Sequence, residues 1–267
     1  MTTVDADERA ALVAELGQRL HEALSHPHPD EIDCPCCGTH QFFAEMEMIG
    51  AIDFLYQEKL RRFRCADCDL IFGPAPLLFL PKADMSELYR LYYLLYEEGV
   101  TVSAQEKTFY LLNPAFDGAY LNYGCGYWQE GVQRLRAVMW QVWGFDPHLS
   151  EHRRAELHSL GLVISLDQLP HRQFSGLFSH NFIEHTQDPF ELFQTLRTLL
   201  APGAAMAHST PCYEYLFEFS PFHLFFFTGK SIAALAARTG FTIEQTYATD
   251  SRTPALFQKV LIFRRTD

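Results

Sequence analysis

From residue 119 to the end of the chain, short apolar runs alternate with helix-like stretches, and this alternation restricts the fold more than any other feature. "AYLNY" (119–123) reads as a strand and 128–138 as a helix. "WQVWGF" (140–145) is a second strand, 149–160 a helix, "LVIS" (162–165) a short strand and "FSGLFSHNF" (174–182) another. Asp188-Pro189 opens a helix with an acid at the cap, proline in the first turn and Glu191 three residues on. That helix is expected to stop at Pro202-Gly203, before a strand over 204–209. Thr228 is expected to cap a helix ending at Gly240. Strand-like runs over 241–248 and 256–264 close the chain, with no helix between them, so they should pair antiparallel. Strands separated by helices predict an α/β fold: a mostly parallel sheet, its last strand antiparallel, with helices on both faces.

Upstream the pattern differs. Leu12, Leu16, Leu20 and Leu24 recur every fourth residue, predicting an amphipathic helix over 5–25. Its leucine stripe leaves two partners open, the chain's own core or a second copy in a homodimer. "SHPHPDEID" (25–33) breaks it with two prolines. "PLLFLPKAD" (76–84) reads as a linker, and "MSELYRLYYLLYEEG" (85–99) as a helix bearing Tyr89, Tyr92, Tyr93 and Tyr96.

Acids outnumber Lys and Arg 33 to 21, a net charge of −12 over 267 residues. A broad phosphate-binding surface needs the opposite balance, so nucleic acid is not the expected main partner. No apolar run approaches the ~20 residues of a membrane span. The N-terminal "MTTVDADERAAL" is acidic with no apolar signal region, which predicts a cytoplasmic protein. Seven cysteines in such a chain suggest metal or catalytic use rather than disulfides.

Four of them form two C-x-x-C pairs, Cys34/Cys37 and Cys65/Cys68, with 27 residues between the pairs. Two such knuckles can place four thiolates around one tetrahedral Zn²⁺, with no open coordination position, so the metal is expected to be structural. The competing reading is four buried thiols with no metal. Cys36 is a spare thiol in the first knuckle. Asp69 stands where many second knuckles carry glycine, and the turn there should be strained.

Gly124-Cys125-Gly126 follows one expected strand and precedes a helix. Gly124 permits a left-handed turn and Gly126 a close backbone approach to a ligand. The third glycine of a dinucleotide loop is replaced by Gln129, so a tightly held pyrophosphate is not expected. Twenty residues after Gly126, Asp146 ends the second strand, where a carboxylate can accept hydrogen bonds from two ribose hydroxyls. Together these ask for a ribose-bearing ligand.

At this point the sequence resembles the class I S-adenosylmethionine-dependent methyltransferases. "YLNYGCGYW" is similar to their first motif and "VWGFDPHLSE" to their second. "FSGLFSHNFIEHTQDPFELFQTLRTLLAPGAAMAHSTP" is similar to their fourth strand, following helix and fifth strand. "HLFFFTGKSIAALAARTGFTIE" is similar to the late segment of the small-molecule subgroup. The resemblance covers about residues 105 to 265. "CPCCG…FRCADCDLIF" resembles the zinc ribbon that precedes some of these enzymes. The resemblance implies a Rossmann-like class I methyltransferase sheet behind a small zinc ribbon. It divides the chain into an N-terminal helix (1–28), a zinc-ribbon domain (29–80), a helical linker or lid (81–118) and a methyltransferase domain (119–267).

The resemblance also implies roles. Asn122, Gly124, Cys125, Gly126, Asp146, Pro147, Asp167, Asn181 and Phe182 would hold S-adenosylmethionine. Cys34, Cys37, Cys65 and Cys68 would hold zinc. His185 and His223 would be the candidate bases for methyl transfer to a small-molecule acceptor. Asn122 stands where relatives often have an acid, and Trp128 where they often have glycine. Tyrosines 89–96 and Phe225–Phe227 could serve as core packing or as a lid over an apolar pocket. Two other readings stay open: an RNA or protein methyltransferase gripping its target through the ribbon, with Arg61, Arg62 and Arg64 near the second knuckle, and a regulator that kept only the fold.

Overall fold

The computed structural model describes residues 6–52, 59–95, 101–127, 129–164, 168–169, 173–215, 220–248 and 259–266. Its main sheet is built from β6 (Ala119–Tyr123), β7 (Gln141–Phe145), β8 (Phe174–His180), β9 (Leu200–Thr210), β11 (Phe241–Ala248) and β12 (Lys259–Arg265). The order is β11-β12-β9-β8-β6-β7, and β12 alone runs against the others.

Alternating side chains of these strands feed two cores, one on each face of the sheet. Leu261 and Phe263 of β12 enter one, and Val260 and Ile262 the other. On the second face lie α4 (Thr101–Tyr110), α5 (Glu130–Ala137) and α6 (Glu151–Ser159), through Phe109, Val132, Leu135 and Leu157. On the first lie α7 (Pro189–Leu199) and α8 (Ser231–Arg238), through Phe193, Leu196 and Leu235. Burying one such side chain contributes about 1.5–3 kcal/mol, which is why the apolar period decides the layering.

Several boundaries depart from expectation. Among its described residues, "LVIS" supplies a bridge from Val163 to Gly144 and no longer strand. Helix α7 ends at Leu199, and β9 starts at Leu200 rather than at 204. Pro202 forces the residue before it into extended backbone, so the strand begins earlier than Gly203 suggests. Asp188 caps α7 as expected, its Oδ1 accepting from the N–H groups of Phe190 and Glu191. Thr228 does not cap α8: its hydroxyl donates to the Asp69 carbonyl, 159 residues away, and Lys230 takes the cap position.

Toward the N-terminus, α1 (Ala6–Leu24) buries Leu16 and Leu20 in the chain's own core. β1 (Glu31–Asp33) and β2 (His40–Phe42) frame the first knuckle. β3 (Glu47–Ile52), β4 (Lys59–Arg64) and β5 (Ile71–Phe72) form a second sheet, and its fourth strand is β10 (Phe225–Phe226). The N-terminal sheet is thus completed by a strand from the other end of the chain. Residues 76–84, expected to be a linker, are largely helical: α2 (Ala75–Leu78) and α3 (Lys82–Leu95). The Met85 N–H bonds the Pro81 carbonyl, so α3 starts three residues earlier than "MSEL" suggests. Among the described residues, no helix is long and apolar enough to cross a membrane.

Candidate functional site

Strand β6 has β7 on one side and β8 on the other, and the crevice at such a switch point, beyond the carboxyl ends of the strands, is where open α/β sheets take ligands. A cavity of about 520 Å³ lies there, within the range of small-molecule sites.

Its floor is the glycine turn. Gly124 has φ +79, and a Cβ on it would sit 2.1 Å from the Phe182 ring. Gly126 has φ +77 and borders the cavity, and a Cβ there would meet no atom of the described residues within 4 Å. The Gly126 N–H donates to Asp146 Oδ2 at 3.1 Å, and the His148 N–H to Oδ1 at 2.9 Å. Asp146 is 2 % exposed and stands just behind the wall to which Pro147 and His148 contribute. Gln129 occupies the place of the third glycine in a left-handed conformation, φ 64. Its Nε2 donates to the Gly126 carbonyl, so its side chain holds the turn from beneath.

Around this floor the structure gathers most of the residues expected to form the site. Gly124, Cys125, Gly126, Pro147, Asn181, Phe182, His185 and His223 all line the cavity. Asn122 does not. It is fully buried and donates from Nδ2 to Gln105 Oε1, and Gln105 faces the cavity in its stead. Asp167 and Trp128 lie outside the described residues. Tyr89, Tyr92 and Tyr93 of α3 form one wall, with Tyr89 stacked on His148 at 4.3 Å between centroids. Phe225, Phe226 and Phe227 are buried in the cores instead. Sequence reading left Tyr93 between core packing and a lid, and did not name Gln105 or Gln129 as site residues. Gln129 alone had a local signal, its position in the glycine pattern.

Three polar groups cluster at the cavity, His185 and His223 lining it and Glu184 buried beside them. Glu184 is 0 % exposed, and its Oε1 accepts from the Thr210 hydroxyl at 2.6 Å. Burial pushes its carboxyl up to about 7, opposed first by that hydroxyl. Burial lowers His185 to about 4, against a hydrogen bond to the Phe222 backbone that acts the other way. His223 is held well below the ordinary histidine value, by burial first and then by His185 and Arg62. Both imidazoles are therefore neutral near pH 7, the state in which a ring nitrogen can accept a proton. His180, lowered to about 4 by burial, lines the same cavity and meets Ser209 Oγ at 3.2 Å. His208, the other strand-end histidine, lies in the core against Phe193 and Phe263.

The four cysteines of the two pairs come together outside this cavity, their Sγ atoms all within 4.8 Å of one another. Cys34 and Cys68 are 3.7 Å apart, Cys37 and Cys65 3.6 Å. The pairs sit in matching turns: the Gly38 N–H bonds the Cys34 carbonyl, and the Asp69 N–H the Cys65 carbonyl. Asp69 has φ 64, the strain its replacement of glycine predicted. The cluster is tied to the other end of the chain: the Lys230 N–H donates to the Cys68 carbonyl, and Arg238 to the carbonyls of Pro35 and Cys36.

The family described as "Methyltransferase domain" matches residues 102–246. No curated protein matches the chain. Among solved structures, 1,6-didemethyltoxoflavin-N1-methyltransferase from Burkholderia thailandensis is similar at a TM-score of 0.52 and 15 % identity, covering 76 % of this chain and 97 % of its own. An S-adenosylmethionine-dependent methyltransferase from Mesorhizobium loti has a TM-score of 0.41 and 20 % identity, covering 63 % and 97 %. Magnesium protoporphyrin IX methyltransferase from Synechocystis has a TM-score of 0.43 and 14 % identity, covering 70 % and 89 %.

Proposed function

This chain belongs to the methyltransferase-domain family that its residues 102–246 match, and from that premise we propose that it moves a methyl group from S-adenosylmethionine to a small-molecule acceptor. The observation that carries the reading is the hydrogen bond from the Gly126 N–H to the Asp146 carboxylate at the edge of the cavity. It holds the acid proposed to bind ribose directly behind the open glycine that borders the cavity. The buried Asn181 Oδ1 makes no hydrogen bond among the described residues and borders the same cavity, so it suits a ligand donor such as an amino group. The Burkholderia neighbour, solved with 1,6-didemethyltoxoflavin and S-adenosylhomocysteine, sets a precedent for a small acceptor on this fold.

The cofactor supplies an electrophilic methyl on a sulfonium. The chain's own residues align the acceptor and keep water out. Tyr89, Tyr92, Tyr93 and Phe182 give the pocket flat apolar faces suited to a planar acceptor. His185 and His223, which line the cavity, are placed to take a proton from an acceptor hydroxyl or amine.

Of the three arginines in the RNA reading only Arg61 stays exposed, which gives that reading little support. Arg62 is 0 % exposed, with its guanidinium over the Phe226 ring, and Arg64 pairs with Glu47 at 2.9 Å.

We further propose that residues 29–80 form a zinc-bearing module. Four sulfurs at ~2.3 Å from one tetrahedral ion stand about 3.8 Å apart, close to the 3.6 and 3.7 Å spacings here.

Calorimetry with S-adenosylhomocysteine tests the main reading. Heat of one-site binding that falls sharply in Asp146→Ala supports it. No heat in the folded wild-type protein would refute it and favour a regulator that kept the fold.

A further inference from the structure

Beyond the reading above, we propose that Glu184, His185 and His223 form a second metal site, for a first-row divalent cation, beside the cavity. One ligand atom from each lies within 4.8 Å of the others, and both histidines open onto the cavity. Two imidazoles and a carboxylate on one side, with room on the other, suit Fe²⁺, Co²⁺ or Zn²⁺. Ligands at ~2.1 Å from such an ion stand about 3.4 Å apart, so side-chain rotation rather than backbone movement spans the difference.

The hydrogen bonds support an ion here. Each of the three residues is held on one side by an outer partner: Glu184 Oε1 by the Thr210 hydroxyl, His185 by the Phe222 backbone, and His223 Nδ1 by Cys212 Sγ at 3.3 Å. Metal ligands are oriented in this way. Two inward atoms are left over: Glu184 Oε2 and His185 Nδ1 are buried and make no hydrogen bond among the described residues. A buried acceptor without a partner costs about 1–3 kcal/mol. Two of them in one cluster, on adjacent residues, are explained by a cation that takes a lone pair from each.

The backbone around the cluster is braced. The Leu224 N–H donates to the Glu184 carbonyl at 2.8 Å, and the Tyr89 hydroxyl to the His185 carbonyl at 3.2 Å. Thus the segment carrying Glu184 and His185 is tied both to the segment carrying His223 and to α3. The use of the site rests on the proposed methyl transfer: a cation facing the cavity would bind an acceptor oxygen and favour its deprotonated form, the proton passing to the neutral His180 imidazole on the same cavity rather than to His185 or His223. The acceptor class is then a phenol, enol or similar acidic hydroxyl.

The test uses whole protein with its thiolate cluster loaded with zinc and no methyl donor present. Co²⁺ is titrated in while its visible d–d absorption is followed, and bound zinc and cobalt are counted after dialysis. One Co²⁺ per chain in addition to the zinc is expected, with affinity lowered at least about tenfold in Glu184→Gln and in His223→Asn. Should Glu184→Gln fail to fold, Glu184→Asp and His185→Gln serve, checked by thermal melting. No additional Co²⁺, Co²⁺ that only displaces zinc, or additional Co²⁺ indifferent to these variants would overturn the site. Because no donor is present, failure here is distinguishable from failure to bind S-adenosylhomocysteine.

Discussion

The phenol of Tyr93 donates to Asp146 Oδ2 at 3.3 Å, the same oxygen that the Gly126 N–H reaches at 3.1 Å. A helix outside the parallel sheet thus touches the carboxylate at the heart of the proposed cofactor site. Ribose hydroxyls would compete with that phenol. Asp146→Ala is expected to weaken S-adenosylhomocysteine at least about tenfold, roughly 1.4 kcal/mol. Tyr93→Phe should leave its affinity within about threefold or tighten it, because the phenol only holds the ligand's place. Calorimetry on both variants decides: equal weakening would make Tyr93 part of the grip.

The two glycines of the turn should fail differently. Gly124→Ala sets a methyl 2.1 Å from the Phe182 ring on a backbone at φ +79. It should lower stability by about 2–4 kcal/mol, combining left-handed strain with overpacking. Gly126→Ala meets open space and should lose only about 1–2 kcal/mol, the strain alone. Its methyl borders the cavity, so it should lose ligand affinity out of proportion to stability. Denaturant melts beside binding isotherms check this, and a Gly126→Ala protein that binds as wild type would remove that residue from the ligand wall.

Zinc is expected at one equivalent per chain in protein purified without chelators, released when the thiols are modified by a mercurial. Release should lower the melting temperature of the whole chain, because β10 closes the sheet that follows the first knuckle and Lys230 and Arg238 bond the knuckles directly. Metal analysis with no zinc, or a main transition unchanged by its release, would count against this arrangement.

Acid should find His208. Burial lowers it to about 3, and Ser179 Oγ bonds its Nδ1. A folded pKa below the unfolded one favours the neutral ring. The stability it provides is complete above about 6.5 and drains away as pH falls toward about 3. Within that window His208 adds up to ~1.4 kcal/mol of slope per pH unit. His208→Gln keeps a donor for Ser179 and should flatten the acid limb by about one proton in urea melts at a series of pH values. An identical slope would refute the assignment.

What was legible in the sequence was what depends on near neighbours. Gly124-Cys-Gly126 and Asp146 could be placed because a turn after one strand and an acid ending the next are set by local pattern and parallel pairing. The Asp188 cap was readable because its partners lie two and three residues on. Tyr93 stayed between core packing and a lid, and Gln105 was not named as a site residue, because whether α3 and α4 face the cavity depends on packing that no periodicity encodes. Thr228 misled for the same reason, its hydroxyl being claimed by a carbonyl distant in sequence. Asn122 sat in the right motif but on the far side of Gln105.

The pairing of Phe225–Phe226 with Ile71–Phe72 has a consequence during synthesis. The N-terminal sheet has an open edge at β5 until residue 226 has left the ribosome. Expressed alone, the first eighty residues would present that edge to other molecules, and strands left unpaired in this way invite aggregation.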